Sequence, residues 1–277
     1  MGGRKNISLV KVPLGGDKTL YELGLTLVHP YFGEKKRFVY MYDNYWSKYP
    51  QNIKDKLHIV LVDDCGTPAI HTLMSGRKCD FNLTIFRITD NLKYNTAGAL
   101  NVGSVEASTD FILQMDSDCV LDLEMMGKLM QTDPMLNWMY KFRRKRITDD
   151  PNLRRTDRYL PCANLLHKDV FKAVHGFDED FTGARSGGYG YFDNHFDHKV
   201  LAQKFRRAVI DGIIVTEYME SLVEPGESTG PLGVGVHRTA RHNEINRSLY
   251  RRKCNGLVPE NHSILRFKYE KVYEHTI

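Results

Sequence analysis

The sequence predicts an α/β fold: a mostly parallel sheet flanked by helices, with a smaller part of different pattern following it. Two observations carry this. Apolar β-type runs alternate with helical spacings from residue 23 to residue 118. The alternation implies parallel strands joined by crossovers. Four acidic residues, Asp63, Asp64, Asp116 and Asp118, fall just beyond the carboxyl ends of predicted strands, where open α/β sheets bind their ligands.

Leu23 to His29 is a short β-type run that Pro30 is expected to stop. From Glu34 to Tyr49, Phe38, Met41, Tyr45, Trp46 and Tyr49 recur at helical spacing. His58 to Val62 is a buried-type strand ending in Asp63-Asp64, and Leu83 to Ile88 is a third strand. Asn95 to Ala107 reads as a helix capped by Asn95 or Thr96. Phe111 to Met115 is a fourth strand, and Asp116-Ser117-Asp118 follows it at once. After about residue 135 the pattern changes. Trp138 to Phe142 suggests a strand, His167 to His175 a short helix closed by Gly176, Phe192 to Phe205 a longer helix and Ala208 to Val215 a strand. Gly226 to Gly235 reads as a flexible loop, with four Gly and one Pro. There is no internal repeat or obvious linker, so residues 1–277 are expected to form a single domain. Within it, about 20–130 carries the acidic strand ends and about 131–277 the flexible loop and a basic tail.

Hydrophobic residues make up 42% and charged residues 26% of the 277 positions, values of a globular protein with a core. No apolar run approaches the roughly 20 residues that span a bilayer, and the N-terminus leads into no secretory h-region. The five scattered cysteines form no C-x-x-C pair, which points to a reducing, cytoplasmic setting and away from disulfides or a zinc site. Positive charge is concentrated late in the chain. Residues 141–158 and 238–253 each carry a net +5, whereas the whole chain is +5, so the remainder is −5. A single basic run is usually a solvated face; two in one half favour an anionic ligand such as a diphosphate, a polyanionic acceptor or nucleic acid.

Asp116 and Asp118 are the first chemical candidates. On a strand, residues i and i+2 project to one side, so the two carboxylates are expected to converge on one hard cation, Mg²⁺ or Mn²⁺. A diphosphate bridged by such a cation is a better leaving group. Asp193 opens the Phe192 helix, where an aspartate by itself reads as a helix N-cap. His237 follows the Gly-rich loop and precedes Arg238 and Arg241. By itself it reads as a lone surface histidine. Arg238 and Arg241 are suited to a leaving diphosphate. Tyr189, Tyr191 and Phe192 suit either a stacking platform or ordinary packing.

The stretch Asn95–Asp118, NTAGALNVGSVEASTDFILQMDSD, resembles the core of family 2-type glycosyltransferases of the GT-A (Rossmann-like) fold: a G-A-L-N helix, an apolar strand, then D-x-D. His58–Asp64 resembles their strand ending in a nucleoside-binding aspartate, and Leu27–Glu34 their opening strand and P-x-x-N-E turn, with Gly33 in place of Asn. Asn164–Asp193, including the G-F-D-E-D-F run, resembles the acceptor-side block, an antiparallel part in that fold. The similarity covers about residues 23–215. It implies a metal-dependent transferase moving one sugar from a nucleotide-sugar, with UDP the expected nucleotide, to an acceptor saccharide or other hydroxyl compound. It further implies that Asp63 or Asp64 contacts the base or ribose, that Asn101 lies in the helix flanking the nucleoside, that Asp116 touches the ribose or a metal-bound water, that Asp118 ligates the metal, that His237 is a third metal ligand, and that Asp193 is the base of an inverting reaction.

The chain departs from the family at several places. Thr96 stands where Lys is frequent before A-G-A-L-N, the acidic pair is reduced to Phe192-Asp193, and the Q-x-x-R-W motif of processive synthases is absent. These departures imply one sugar per encounter. Three other readings stay open at this point: a glycosyltransferase acting on a hydroxylated base in DNA, a nucleotidyltransferase, and an inactive nucleotide-binding module of the same fold.

Overall fold

The computed structural model describes residues 15–92, 94–147, 159–218 and 240–277. In the described residues nine strands form one sheet, so the two halves of the chain share it.

A one-turn helix, α1 (Leu20–Leu23), precedes β1 (Leu25–Tyr31). Helix α2 (Lys35–Asn44), a 3-10 turn at Trp46–Lys48 and the short α3 (Gln51–Lys54) lead to β2 (Leu57–Asp64). Helix α4 (Ile70–Met74) crosses to β3 (Asn82–Ile88), and α5 (Thr96–Val105) returns the chain to β4 (Phe111–Gln114). These four strands run parallel in the order β3-β2-β1-β4. The chain thus moves outward from β1 to β3, then jumps back to the other side of β1. Such a reversal opens a crevice at the carboxyl ends of the strands.

Beyond β4 come the two-residue β5 (Cys119–Val120), α6 (Leu123–Met130), β6 (Trp138–Ile147), β7 (Tyr159–His167), α7 (Lys168–Ala173), a 3-10 turn at Glu179–Phe181, α8 (Gly183–Ser186), α9 (Phe192–Ala202) and β8 (Arg206–Tyr218). Strand β7 is antiparallel to both β4 and β6, and β6 runs parallel to β8. The chain closes with α10 (Ala240–Cys254) and β9 (Tyr269–His275), which pairs antiparallel with β3.

Several expectations are corrected. Pro30 does not end β1: it pairs with Val62 and the strand continues to Tyr31. On the β4 side the pairing reaches only Val28, so the missing N–H of Pro30 leaves no ladder bond unmade. The helix after Glu34 stops at Asn44, because Tyr45 turns out of helical geometry into the 3-10 turn. Strands β7 and β9 and helices α6 and α10 were not legible as elements. No helix among the described residues is long and apolar enough to cross a membrane.

Helix α5 is buried along nearly its whole length and lies close on the sheet. A Cβ on Gly103 would stand 2.3 Å from Val28 Cγ1, so only glycine permits this approach. Leu265, Phe267 and Tyr269, just before and at the start of β9, cover Val60, Val62, Ile88, Ala99 and Val102. Glu179, fully buried, fastens this segment: it accepts from the backbone N–H of Leu265 at 2.7 Å and of Arg266 at 3.1 Å.

Candidate active site

Asp63 and Asp64 end β2 side by side, yet the fold uses them differently. Asp63 accepts from Gly66 N at 2.6 Å, from Ile70 N at 3.0 Å and from Arg87 Nη1 at 2.6 Å. Its carboxylate therefore shapes the turn into α4 and answers a guanidinium from β3. Asp64 accepts from Asn95 Nδ2 at 3.3 Å, and its Oδ2 is buried without a hydrogen bond in the described residues. Burial pushes the Asp64 carboxyl up to about 7, helped by the neighbouring Asp63 charge and opposed by Asn95. A buried acceptor without a donor is costly unless a ligand or water answers it.

The shift has a measurable sign. An unfolded aspartate titrates near 3.9, so between about pH 4 and 7 folded Asp64 holds a proton that the unfolded chain has released. Stability then falls as pH rises through that window. Asp64→Asn keeps the shape and cannot ionise. Its melting temperature is expected to match wild type near pH 4 and exceed it at pH 8; parallel melting curves across this range would contradict the assignment.

Asp116, Ser117 and Asp118 form a turn rather than a continuation of β4, with Cys119 N donating to Asp116 O at 3.1 Å. Strand alternation therefore does not place these carboxylates, because β4 ends at Gln114 and the turn sets their direction. All three side chains are half-buried. The turn is held from behind. Tyr218 N donates to Asp118 O at 2.8 Å, tying the motif to the end of β8. Arg37, paired with Glu34 at 2.8 Å, reaches Ser117 Oγ at 3.5 Å. His29 lies beneath, with Nε2 3.3 Å from Cys119 O and its ring edge-on to Trp46. Burial pushes the His29 imidazole down to about 4, so at neutral pH it adds no positive charge under the acidic turn. Two accessible carboxylates over a neutral imidazole suit a hard divalent cation. Among the described residues no third His, Cys, Asp or Glu joins them.

Asp193 lies in the first turn of α9. The N-cap is Tyr191, so Asp193 is not the cap. Asn194 Nδ2 donates to Asp193 Oδ1 at 2.9 Å. Burial pushes the Asp193 carboxyl above its usual value, and the Lys141 ammonium opposes that rise. A polar row links this side to the acidic turn. Register places Gln114 on β4 opposite Asn164 on β7, and Asn164 opposite Lys141 on β6. Ser104 accepts from Gln114, Gln114 accepts from Asn164, and Lys141 Nζ lies 2.7 Å from Asp197 on α9. The row and helix α9 therefore lie on one face of the sheet.

The remaining predicted residues divide. Asn101 is fully buried and its amide is engaged by Phe177 and Glu179, through Phe177 N at 2.8 Å, Phe177 O at 2.9 Å and Glu179 Oε1 at 3.0 Å. It fixes α5 to the G-F-D-E-D-F segment. Arg241 is exposed at the start of α10. His237, Arg238 and the Gly226–Gly235 loop lie outside the described residues. In the basic 141–158 run, Arg144 and Arg146 pair with Glu217, and Arg143 lies 3.5 Å from Asp211. The described part of that run thus braces β6 against β8.

One further cluster has metal-like composition. Asp178, His195 and Glu260 bring one ligand atom each within 4.8 Å of one another. Lys253 Nζ already stands 2.7 Å from Asp178 Oδ2, and Lys199, donating to Gly176 O, is close by. An ammonium fills the cation's place, and the cluster reads as an internal ion-pair network joining α9, α10 and the 3-10 turn. Sequence reasoning also missed Arg37 and His29. His29 was visible as an imidazole in an apolar strand, whereas Arg37 stands beside Glu34, Lys35 and Lys36 and only its burial singles it out.

The family described as glycosyl transferase family 2 matches residues 32–172. No curated protein matches the chain. Among solved structures, TarS 1–349 of S. aureus in complex with UDP-GlcNAc superposes with a TM-score of 0.53 at 15% identity, covering 74% of this chain and 60% of that one. The mannosyltransferase PcManGT from Pyrobaculum calidifontis, in complex with GDP-Man and Mn²⁺, gives 0.50 at 17% identity, covering 71% and 57%. GalNAc-T7 with UDP, GalNAc and Mn²⁺ gives 0.50 at 11% identity, covering 75% and 46%. The chain thus spans less than two thirds of the length of each. At these identities the likeness is one of fold, and that fold is GT-A.

Proposed function

The chain belongs to glycosyl transferase family 2, and on that premise we propose that it moves one sugar from a nucleotide-sugar donor to an acceptor hydroxyl. The observation that supports the reading is that Asp64 ends β2 with an unanswered oxygen and that the Asp116–Asp118 turn follows β4, where the strand order reverses. Asp193, in the first turn of α9, is taken as the third carboxylate.

In this reading Asp64 accepts from the donor's base or ribose. Asp116 and Asp118, with His237 the expected third ligand, would hold a divalent cation, which would supply charge neutralisation for the departing diphosphate. Asp193 takes the proton of the acceptor hydroxyl as its oxygen bonds to the anomeric carbon. The bond from that carbon to the diphosphate oxygen breaks, and attack from the opposite face inverts the centre. Burial that raises the Asp193 carboxyl makes it a better base, and the Lys141 ammonium opposes that rise. Asn101 holds α5 in place. Arg241 is assigned to the diphosphate, alongside Arg238.

UDP is the expected nucleotide: TarS and GalNAc-T7 are seen with uridine nucleotides, PcManGT with GDP-Man. The test is a melting-temperature series with UDP, GDP, CDP and ADP, each with and without Mn²⁺. One nucleotide should raise the melting temperature by several degrees, and only with the metal. Equal response to all four, or to none, would refute the donor assignment.

A further inference from the structure

Three tyrosines from distant parts of the chain meet next to the acidic turn. Tyr40 lies in α2, Tyr45 caps the C-terminal end of that helix, and Tyr218 is the last residue of β8. Tyr218 is buried and the other two are half-buried. The hydroxyls of Tyr45 and Tyr218 share a hydrogen bond, and Tyr40 Oη lies 3.4 Å from Tyr218 Oη. The rings pack together as well, with centroids 5.2 Å apart for Tyr40 and Tyr218 and 6.0 Å apart for Tyr40 and Tyr45. Five residues along an unbroken α-helix turn a side chain by about 140°, which would aim Tyr40 and Tyr45 in different directions. The chain leaves helical geometry at Tyr45, with φ −127° and ψ −69°. That break lets both rings close on one phenol.

The backbone of Tyr218 holds the acidic turn. Its N–H donates to Asp118 O at 2.8 Å. The preceding residue, Glu217, stands in register with Cys119 across the β5–β8 pair. Cys119, fully buried, donates through Sγ to Asp118 Oδ1 at 3.2 Å. The end of β8 therefore meets both the main chain of Asp118 and the residue that touches its carboxylate. The β5–β8 ladder is only two residues long, shorter than an ordinary strand pairing, so the end of β8 needs support from its side chains. Glu217 supplies it on one face through ion pairs with Arg146 at 2.6 Å and Arg144 at 3.2 Å. Successive strand residues point to opposite faces, and on the other face Tyr218 is locked to α2. The same helix reaches the turn a second time, through Arg37 and Ser117.

We propose that Tyr218, locked by Tyr45 and Tyr40, is a positioning residue for Asp118: it fixes the direction in which that carboxylate meets a divalent cation. The inference rests on the metal reading of the transferase site above. Groups that only orient a metal ligand govern affinity by roughly 10- to 100-fold, because an unaimed carboxylate must be ordered when the ion binds. Removing the Tyr218 hydroxyl keeps the ring and the strand pairing but takes away the bond that ties the end of β8 to α2.

The experiment titrates Mn²⁺ into the full chain with the preferred nucleotide present, well below the melting temperature, and records the metal-free melting temperature alongside. Tyr218→Phe and Tyr45→Phe should each raise the Kd for Mn²⁺ about tenfold. The double variant should lose no more than either single one, since both substitutions break the same bond. Tyr45→Phe changes no residue of β8 and carries the test alone if Tyr218→Phe does not fold. Tyr42→Phe is the control: it lies in the same helix, but its hydroxyl donates to Lys78 O at 2.6 Å instead. It should lower the melting temperature and leave the Kd for Mn²⁺ unchanged. Phenylalanine variants that bind Mn²⁺ as the wild type does, or a Tyr42→Phe control that loses as much affinity as they do, would overturn the positioning role. A wild type that binds no Mn²⁺ refutes the metal reading itself.

Discussion

Asp193→Asn is expected to lower the rate of transfer by roughly 10²- to 10⁴-fold, the usual contribution of a positioned base. Donor affinity should stay unchanged. Asparagine preserves the side-chain shape and leaves the N-cap at Tyr191 untouched, so α9 should fold as before. The loss should fall on kcat and kcat/KM together, because the proton moves only as the acceptor oxygen attacks. The pH profile supplies a second check. Burial holds the Asp193 carboxyl above its ordinary value. The wild-type rate should therefore fall as pH drops through that raised value, with the midpoint above the ordinary carboxylate range. A variant that instead loses nucleotide binding would move Asp193 to the donor site.

Asp118→Asn is expected to abolish both transfer and metal-dependent nucleotide binding. Only the carboxylate changes: Asp118 O still accepts from Tyr218 N, so the junction between the acidic turn and β8 persists. Replacing an ionised oxygen ligand with an amide weakens a hard cation's site severely, since carboxylate charge supplies much of its binding. Isothermal titration with the preferred nucleotide, with and without Mn²⁺, separates the two losses from unfolding. Full wild-type turnover in excess EDTA would end the metal reading outright.

The sheet's parallel core was legible because apolar runs of strand length stand directly before acidic pairs, as in His58–Asp64 and Phe111–Asp118. The choice between Asp63 and Asp64 was not, because it depends on Arg87 reaching across from β3 and on the turn at Gly66–Ile70. Asn101 was placed in the right helix, but its partners Phe177 and Glu179 lie more than 75 residues away. Periodicity says nothing of such partners. Pro30 misled because the rule against proline in strands depends on which side of the strand is paired.

The pairing of β9 with β3 joins Leu83 to His275 and Ile88 to Tyr269, positions separated by most of the chain. During synthesis β3 emerges long before β9, so its outer edge gains its neighbour only after some 180 further residues have been made. Until then β3 presents an open row of N–H and C=O groups, with Phe86 and Ile88 lacking the Leu265–Tyr269 cover. Unpaired strand edges of this kind invite association with other chains, and contacts of such long sequence separation form late. A chain that lacks β9 would thus keep an adhesive edge on β3. Yield of intact protein in the cell should depend steeply on the presence of that strand.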